Sequence, residues 1–243
     1  EFVLATDLDG TFLGGDATAR QAFYQWIETH RHRVGLIFVT GRDPDFIRDL
    51  CRDRGVPTPE YVVGDVGTTI ASMSKDHEIS PLPQLEAPIA EAWRESGERV
   101  QDALSGIAGL TLQPTAFRYR LSFDLDADAF DPRAISIVEG LGLDALVSDN
   151  RFFDVLPKGI SKGPTLRRLI KHLKIDESRT LVAGDTMNDL SMLTEGLPAV
   201  AVGNSEDALV ERIAEAEMVY HAEGSGVTGI AEAISHFQMF TKA

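Results

Sequence analysis

Short runs of apolar residues recur along this chain, and segments with helical periodicity lie between them. Phe2 to Thr6 and Val34 to Thr40 are two such runs, and Phe23, Trp26 and Ile27 recur between them at helical spacing. Strands that are apolar on both faces have to be covered by helices on both sides. Alternation of such strands with helices is typical of βαβ units. The opening therefore predicts an α/β fold with a parallel sheet.

Further segments of the same two kinds follow. The second helix has clear start and stop signals, with Asp43 suited to the N-cap, Pro44 to the first helical position and Gly55 to the stop. Tyr61 to Val63 predicts a third strand. Later in the chain the alternation resumes, with strands at Thr180 to Ala183 and Ala199 to Val202 and with helices that carry Leu166, Leu169, Ile170 and Leu173, then Leu190, Met192 and Leu193, then Leu209, Val210 and Ile213.

The stretch between these two regions has a different pattern. Phe117 to Leu125 alternates apolar with polar residues, as a strand with one face in water does. We therefore expect residues 82–157 to form a separate α+β insert, while residues 1–81 and 158–243 form a Rossmann-like core. The other elements expected in the insert are one helix carrying Ile89, Trp93, Val100 and Leu104, a helix near Pro132 to Leu141, and strands at Ala145 to Val147 and Phe152 to Leu156.

Two carboxylates, Asp7 and Asp9, stand directly after the first strand and before Gly10. Open α/β sheets bind their ligands at this carboxyl end of the strands, and such a pair is poorly suited to a core. Two ionised groups so close together repel each other unless a cation neutralises them. Mg²⁺ is a hard ion that prefers oxygen ligands. The sequence therefore predicts a magnesium site here.

Three more polar segments occur beside predicted core strands and helices. Each alone has an ordinary explanation, since Thr-Gly is a common strand exit, lysines are commonly solvated, and Asp185 and Asp189 are compatible with a helix N-cap and a first-turn charge. The occurrence of all three together with the acidic pair is improbable by chance, so we interpret the four segments as one active site. The three segments are Thr40-Gly41-Arg42, Ser161-Lys162-Gly163 and Gly184-Asp185-Thr186-Met187-Asn188-Asp189.

Composition restricts the partners. A net charge of −15 and a pI near 4.7 argue against nucleic acid and against an anionic membrane, so an anionic substrate has to be attracted by a local cation. No apolar run approaches the ~20 residues of a membrane span. The single cysteine, Cys51, is expected to pack in the core and permits no internal disulfide, which fits a cytoplasmic location. The oligomeric state is left open.

The segments DLDGT, VTGR, SKG and GDTMND, in this order, resemble the motifs of the haloacid-dehalogenase-like phosphohydrolase superfamily. The match spans the whole predicted core, and the insert resembles the large α/β cap (the C2 type) of its sugar-phosphate phosphatases. Phe153 to Pro157, Ser161 to Gly163 and the closing helix Ile230 to Phe237 are similar to sucrose-phosphate phosphatases in particular. So is Arg120 to Ser122, where that family has a lysine in place of the arginine. Gly64-Asp65 departs from the Asn-Gly of many relatives.

The resemblance implies a mechanism and a metal site. Asp7 would be the nucleophile that forms an aspartyl-phosphate, and Asp9 would protonate the leaving sugar oxygen and then activate water. Asp185 would complete the Mg²⁺ site with Asp7 and the backbone carbonyl of Asp9. Dehalogenases of the superfamily lack the second aspartate, because a halide leaves without a proton.

The resemblance also implies which residues hold the phosphoryl group. Thr40, Gly41 and Lys162 would bind its equatorial oxygens, which carry the charge during transfer. Asn188 and Asp189 would act through the phosphate, a water molecule or Lys162. These residues belong to three separate motifs, so the expectation requires the motifs to meet in the fold.

The insert is expected to select the substrate. Arg120 is the strongest candidate because the resemblance aligns it, and Arg42 of the second motif is a further substrate-binding candidate. Hydrolysis has to exclude bulk water from the site yet admit the one water molecule that reacts. The insert is therefore expected to close over the core during turnover. Arg120 is expected on the wet face of the insert, and the other candidates for sugar hydroxyls or a second anion on that face are Arg118, Asp149, Asn150 and Arg151.

The expected function is Mg²⁺-dependent hydrolysis of a phosphorylated sugar such as sucrose phosphate, with a small-molecule substrate as the partner. Mannosylfructose phosphate, glucosyl- or mannosyl-3-phosphoglycerate and simple hexose phosphates remain alternatives. A sugar phosphomutase is disfavoured because such mutases usually carry a small helical cap. A phosphoacceptor signalling domain would be about half as long, with its acidic pair on a separate strand from the acceptor. A binding protein without activity would release no phosphate from any sugar phosphate.

Overall fold

The structure is a computed structural model that describes residues 1–240. Its strands are β1 (Phe2–Thr6), β2 (Val34–Val39), β3 (Tyr61–Gly64), β4 (Thr69–Met73), β5 (Ile79–Pro81), β6 (Leu110–Leu112), β7 (Leu121–Leu125), β8 (Leu143–Ser148), β9 (Phe152–Pro157), β10 (Thr180–Gly184), β11 (Ala199–Ala201) and β12 (Val219–His221). Its α-helices are α1 (Ala17–Thr29), α2 (Pro44–Arg54), α3 (Pro83–Trp93), α4 (Gly97–Leu104), α5 (Arg133–Gly140), α6 (Lys162–Leu173), α7 (Leu190–Leu193), α8 (Asp207–Ile213) and α9 (Val227–His236).

The larger sheet has eight strands in the order β12-β11-β10-β1-β2-β3-β4-β5. The strands from β12 to β3 run parallel, and β4 and β5 continue the sheet antiparallel. In β1, Leu4 lies opposite Leu36 of β2 and Leu181 of β10. Strands from distant parts of the chain therefore meet at the centre of the sheet, and the predicted α/β fold with a parallel sheet is confirmed.

Helices cover both faces of this sheet, as the apolar strands require. Phe38 packs in one layer with Ile230 of α9, and its neighbour Ile37 packs in the other layer with Leu166 of α6. Cys51 is buried in the first layer, as expected of a packing residue. None of the helices in residues 1–240 combines the length and the hydropathy that a bilayer span needs.

A second, smaller sheet is antiparallel, with the strand order β6-β7-β9-β8. Its core packs Phe153 of β9 with Val138 of α5 and Trp93 of α3. We call the part built on this sheet the cap. The bounds of the predicted insert remain a prediction, because α3 also contributes Leu85 and Ile89 to the core of the larger sheet.

The strands β8 and β9 form a hairpin whose tip is a tight turn. Asp149 and Asn150 have φ values of +53° and +46°, and the Arg151 N–H donates to the Ser148 carbonyl at 3.1 Å. Two consecutive left-handed residues are the requirement of a type I′ turn, and Asn and Asp tolerate that conformation better than other side chains. The local sequence thus fixes the position of the turn.

Two sequence-based expectations for the insert are wrong. The single helix expected through Ile89 and Leu104 is two helices, α3 and α4, because Arg94 and Glu95 have positive φ values of 51° and 54° that end the first one. The strand expected from Phe117 begins only at Leu121. Residues 113–120 before it are irregular, and the side chain of Arg120 at their end donates to the Gly41 carbonyl of the core.

Candidate active site

Three of the four sequence motifs meet at the carboxyl ends of adjacent parallel strands. Asp7 follows β1, Thr40 follows β2 and Asp185 follows β10. The chain enters β2 and β10 on opposite sides of β1, so β1 marks the point where the strand order reverses. Open α/β sheets bind ligands in the crevice at such a point. The fourth motif reaches the same place because Lys162 begins α6 and its amine bonds Asp7.

Lys162 is completely buried and is fully engaged by acceptors from two other motifs. Its Nζ donates to Asp7 Oδ1 at 2.7 Å, to Asn188 Oδ1 at 2.6 Å and to Asp189 Oδ1 at 2.7 Å. Burial alone would lower the pKa of Lys162, but the carboxylates of Asp189 and Asp7 outweigh burial and raise it. The raised pKa favours a positively charged ammonium group beside Asp7.

The acidic side chains of this cluster are also buried and lie close together. Carboxylate oxygens of Asp7, Asp185 and Asp189 all lie within 4.8 Å of one another. Burial, only partly offset by Lys162, raises the pKa of Asp7 to about 7. Burial and the repulsion of Asp7 and Asp189 raise the pKa of Asp185 to about 8. Without a cation, the fold therefore penalises the charged form of these two groups.

The hydrogen bonds distinguish possible metal ligands from supporting groups. Asp189 accepts from Lys162 through Oδ1 and from the N–H groups of Asp185 and Thr186 through Oδ2, at 2.9 and 3.0 Å. Its oxygens are thus engaged, as expected of a residue that acts through its neighbours. Asp185 accepts from the hydroxyl of Thr11 at 2.5 Å through Oδ1. Asp7 and Asp185, two buried oxygen donors with raised pKa values, fit a hard divalent ion such as Mg²⁺.

Gly10 allows Asp185 to approach the first motif. A Cβ atom built at Gly10 would lie 2.0 Å from Asp185 Oδ2, and Gly10 has a φ of +78°. Both the close approach and the left-handed backbone exclude a larger residue. The glycine of the DLDGT motif is therefore a requirement of the acidic cluster, in addition to its role in the turn.

Asp9 lies at the mouth of the site and is paired with Arg42. The guanidinium donates from Nε to Asp9 Oδ2 at 2.8 Å and from Nη2 to Oδ1 at 3.0 Å. The side chains of Asp9 and Arg42 are 53% and 48% exposed. An ion pair so exposed is weak, with a typical value of about 0–1 kcal/mol, so a substrate can displace it. The structure thus brings Arg42 to the general acid/base candidate.

The loop after β2, residues 40–42, has its backbone carbonyls held by hydrogen bonds to other parts of the protein. The carbonyls of Thr40 and Arg42 accept from the N–H groups of Val66 and Asp65, both at 3.1 Å, and the Gly41 carbonyl accepts from Arg120 at 2.8 Å. Within residues 1–240, no hydrogen-bond partner is described for the Gly41 N–H. All three carbonyls of this loop accept hydrogen bonds from the protein, and the Gly41 N–H is available to bind an anion.

Arg120 is buried, so its expected place on a wet face is wrong. It is 4% exposed, donates to Asp154 Oδ1 at 2.9 Å and stacks on the Phe117 ring at 3.6 Å. Asp65 lies 3.7 Å away. Two buried carboxylates compensate its charge. Arg120 still lines the cavity between the larger sheet and the cap, and it also ties the cap to Gly41.

Arg118 does not face that cavity. Its guanidinium donates to both oxygens of Glu86 on α3, at 2.9 and 2.7 Å, and to the hydroxyl of Thr69 at 3.3 Å. Glu86 is buried and also accepts from the Ile70 N–H at 2.9 Å. The pair connects the cap-side segment to the larger sheet, and a role of Arg118 in sugar binding stays a prediction.

A cavity of about 450 Å³ lies between the larger sheet and the cap. The core side of the cavity includes Asp7 and the exposed ion pair of Asp9 and Arg42. The cap side consists of polar and aromatic side chains. The sequence did not point to Gln113, Thr115 and Phe117 of this lining, because residues 113–120 are irregular and carry no motif. The lining residues are Asp7, Asp9, Gly41, Arg42, Asp43, Val66, Gln113, Thr115, Phe117, Arg120, Ser148, Asp149, Arg151, Phe152, Asp154, Thr186 and Asn188.

Solved structures share this architecture. The sucrose-phosphatase of Synechocystis sp. PCC6803, solved in complex with sucrose and phosphate, has a TM-score of 0.88 and 26% identity and covers 98% of both chains. A haloalkanoate-superfamily subclass IIB sugar phosphatase shares the fold at a TM-score of 0.64 and 18% identity. Together with the motif geometry, they define this chain as a phosphatase of the haloacid-dehalogenase-like class with a C2-type cap.

The particular family follows from the sequence. Residues 1–238 match the family described as sucrose-6F-phosphate phosphohydrolase. The chain belongs to this family.

Curated relatives differ in how much of their length the chain represents. It is 39% identical over 241 residues to glucosylglycerol-phosphate synthase of Pseudomonas anguilliseptica, with 99% of this chain but only 31% of that protein aligned. It is 28% identical to mannosylfructose-phosphate phosphatase of Agrobacterium fabrum, with 97% and 96% aligned. The chain thus spans about a third of one relative and nearly all of the other.

Proposed function

We propose that this chain hydrolyses a phosphorylated sugar in a Mg²⁺-dependent reaction through an aspartyl-phosphate on Asp7. The observation that carries this proposal is the buried cluster of Asp7, Asp185 and Lys162, of which Asp7 lines the cavity between the larger sheet and the cap. A buried carboxylate beside a fixed cation, open to a polar cavity, is suited to attack a phosphoryl group.

The reaction requires two displacements at phosphorus. A carboxylate oxygen of Asp7 attacks phosphorus, the bond from phosphorus to the sugar oxygen breaks, and Asp9 gives that oxygen its proton. Asp9, now ionised, takes a proton from a water molecule, whose oxygen attacks phosphorus and releases Asp7. Lys162, the Gly41 N–H and the Thr40 hydroxyl hold the phosphoryl oxygens during both steps. The products are inorganic phosphate and the free sugar.

Asp7 and Asp185, with the backbone carbonyl of Asp9, are the groups that would hold Mg²⁺. When bound, the ion supplies positive charge that neutralises the phosphoryl oxygens and the two buried carboxylates. Asp189 keeps Lys162 and the backbone of Asp185 in place. The raised pKa values of Asp7 and Asp185 support a cation at this position.

A glycosyl phosphate of disaccharide size suits the cavity. Sucrose phosphate and mannosylfructose phosphate are candidates because the names of relatives include sucrose-phosphatase and mannosylfructose-phosphate phosphatase. Glucosylglycerol phosphate is a third candidate, from the name of the relative that shares 39% identity. Glycosyl-3-phosphoglycerates and hexose phosphates complete the panel against which kcat/KM should be measured, and a sugar phosphomutase reaction would show as transfer without phosphate release.

The test is Mg²⁺-dependent release of phosphate from this panel by the wild-type chain and by Asp7→Asn. We expect the variant to lose at least about 10³-fold in kcat, because an amide cannot serve as the nucleophile. Asp53→Asn, at an exposed carboxylate of α2 outside the site, is the control and should retain activity. Undiminished activity in Asp7→Asn, or no phosphate release by the wild type from any sugar phosphate, would refute the proposal.

A further inference from the structure

A glutamate outside all four motifs, Glu206, joins the cap to the acidic loop. Its Oε1 accepts from the Asp149 N–H at 2.8 Å, and its Oε2 accepts from the Met187 N–H at 3.1 Å. Asp149 belongs to the turn at the tip of the β8–β9 hairpin, whereas Met187 precedes Asn188 and Asp189 of the core. One carboxylate therefore bridges the hairpin tip of the cap and the acidic loop of the core.

The side chain of Glu206 does not serve as a cap for α8, the helix that follows it. Glu206 occupies the N-cap position of α8, but its carboxylate caps no N–H of that helix. Its own N–H donates to the Asp185 carbonyl at 2.8 Å, and the residue is half-buried. The backbone of Glu206 is thus fixed to the acidic loop, and its carboxylate is directed at the cap.

The partner of Glu206 in the cap is preorganised. The left-handed conformations of Asp149 and Asn150 and the bond from Arg151 to Ser148 fix the turn. A fixed N–H that donates to a carboxylate forms a charge-assisted hydrogen bond, which is about twice as strong as a neutral one. The strand β8 also contacts the Met187–Asp189 turn. Arg120 ties the cap to Gly41 at the second motif.

We propose that Glu206 is a positioning residue that holds the cap closed over the acidic loop. It acts through Asp149 and Met187, so that cap residues meet the sugar while Lys162 and Asn188 hold the phosphate. The part of this proposal that concerns turnover rests on the proposed function. The part that concerns the closed cap does not.

The first test compares two substrates in Glu206→Gln. An amide can accept through only one oxygen, so one of the two bridged N–H groups loses its partner. We expect kcat/KM for the preferred sugar phosphate of the panel to fall about tenfold. For p-nitrophenyl phosphate, which is too small to contact the cap and the phosphate site together, kcat/KM should change less than about twofold. An equal fall with both substrates would show that Glu206 supports only the acidic loop, and this would overturn the proposal.

Two further variants make this comparison specific. Glu211→Gln, at an exposed position of α8, removes the same charge from the same helix without touching the bridge, and both rates should stay unchanged. Glu206→Asp keeps the charge but is one methylene too short to reach both donors, so it should behave like Glu206→Gln. Wild-type behaviour of Glu206→Asp would contradict a role that depends on reach.

The second test does not depend on activity. Hydrogen–deuterium exchange of the substrate-free full chain reports on the amides of residues 148–152. We expect faster exchange of this peptide in Glu206→Ala, because alanine leaves the Asp149 N–H without its side-chain acceptor, and no change in Glu211→Ala. Unchanged exchange in Glu206→Ala would refute the bridge itself. Absence of phosphatase activity in the wild type would instead refute the proposed function, and the exchange result would still stand.

Discussion

Two arginines line the same cavity but differ in burial, and their replacement should have different consequences. Arg120 is buried beside Asp154 and Asp65, whereas the Arg42 side chain is 48% exposed in its pair with Asp9. Breaking a buried pair leaves a carboxylate without compensation and costs about 3–5 kcal/mol, while an exposed pair contributes about 0–1 kcal/mol. We therefore expect Arg120→Met to lower the free energy of unfolding by about 3 kcal/mol or more, and Arg42→Met by less than about 1 kcal/mol.

Urea unfolding of both variants at one pH measures this difference. Arg120→Lys is a useful third variant, because lysine keeps the charge but cannot bond Asp154 and the Gly41 carbonyl with a planar fork. Its unfolding free energy should lie between those of the wild type and Arg120→Met. Equal losses in Arg120→Met and Arg42→Met would contradict the assigned burial of Arg120.

At the residue scale, the sequence predicted the positions of the motifs but not all of their contacts. Asp7 and Lys162 meet as expected because strand ends and helix starts of an α/β sheet converge on one edge. The bond from Arg120 to the Gly41 carbonyl joins residues 79 positions apart, one before β7 of the cap and the other after β2 of the core. No local pattern encodes such a contact, so the burial of Arg120 and the bridge of Glu206 could not be predicted.

At the scale of elements, the start of α6 is held in place by close packing at Gly163. A Cβ atom there would lie 2.2 Å from the Ser191 carbonyl oxygen, which is shorter than any real contact. Gly163→Ala should displace the first turn of α6, and with it Lys162, from α7. We expect a loss of about 1–3 kcal/mol in unfolding free energy and a raised KM for the phosphorylated substrate.

Gly140→Ala is the matched control for this prediction. Gly140 ends α5, and a Cβ atom there would meet no atom within 4 Å. Alanine loses less conformational freedom on folding than glycine, so this variant should be more stable by about 0.5–1 kcal/mol, with KM unchanged. A Gly163→Ala variant as stable as the wild type would show that α6 and α7 are not closely packed.

Elements with strong local signals were predicted well. The helix α2 has Asp43 as its N-cap, Pro44 at its start and Gly55 at its end, as the sequence indicates, because each residue acts within its own turn. The break between α3 and α4 was missed because neither Arg94 nor Glu95 is a typical left-handed residue. Of the four three-residue strands, β11 was predicted from its apolar run, whereas β5, β6 and β12 show neither such a run nor a period, and tertiary pairing decides them.

At the scale of the whole molecule, the buried acidic cluster makes stability depend on pH and on Mg²⁺. The pKa values of Asp7 and Asp185 are raised from 3.8 to about 7 and about 8 in the folded chain. Raised values favour the protonated forms in the fold, so this contribution is present below about pH 4 and is lost as the pH rises through about 7–8. The metal-free chain should therefore unfold at a lower temperature at pH 8.5 than at pH 5.5.

Mg²⁺ should reverse this loss, because it binds the deprotonated carboxylates. At one hundred times its Kd the ion stabilises a protein by about 2.7 kcal/mol, which for a chain of this size raises Tm by about 5–10 °C. We expect a larger rise at pH 8.5 than at pH 5.5 in calorimetry. Sodium chloride of equal ionic strength is the control, and Asp185→Asn should lose most of the effect. A Tm that is independent of Mg²⁺ at pH 8.5 would exclude the metal site.

The central claim is that Asp7 takes up the phosphoryl group, and covalent labelling tests it directly. The measurement is a single turnover with a radiolabelled sugar phosphate, quenched in acid, followed by mapping of the labelled peptide. The account predicts label on the peptide that contains Asp7, rising and decaying within the turnover, and no label in Asp7→Asn. Release of phosphate at the wild-type rate with no labelled protein at any time, or label on another residue, would contradict it.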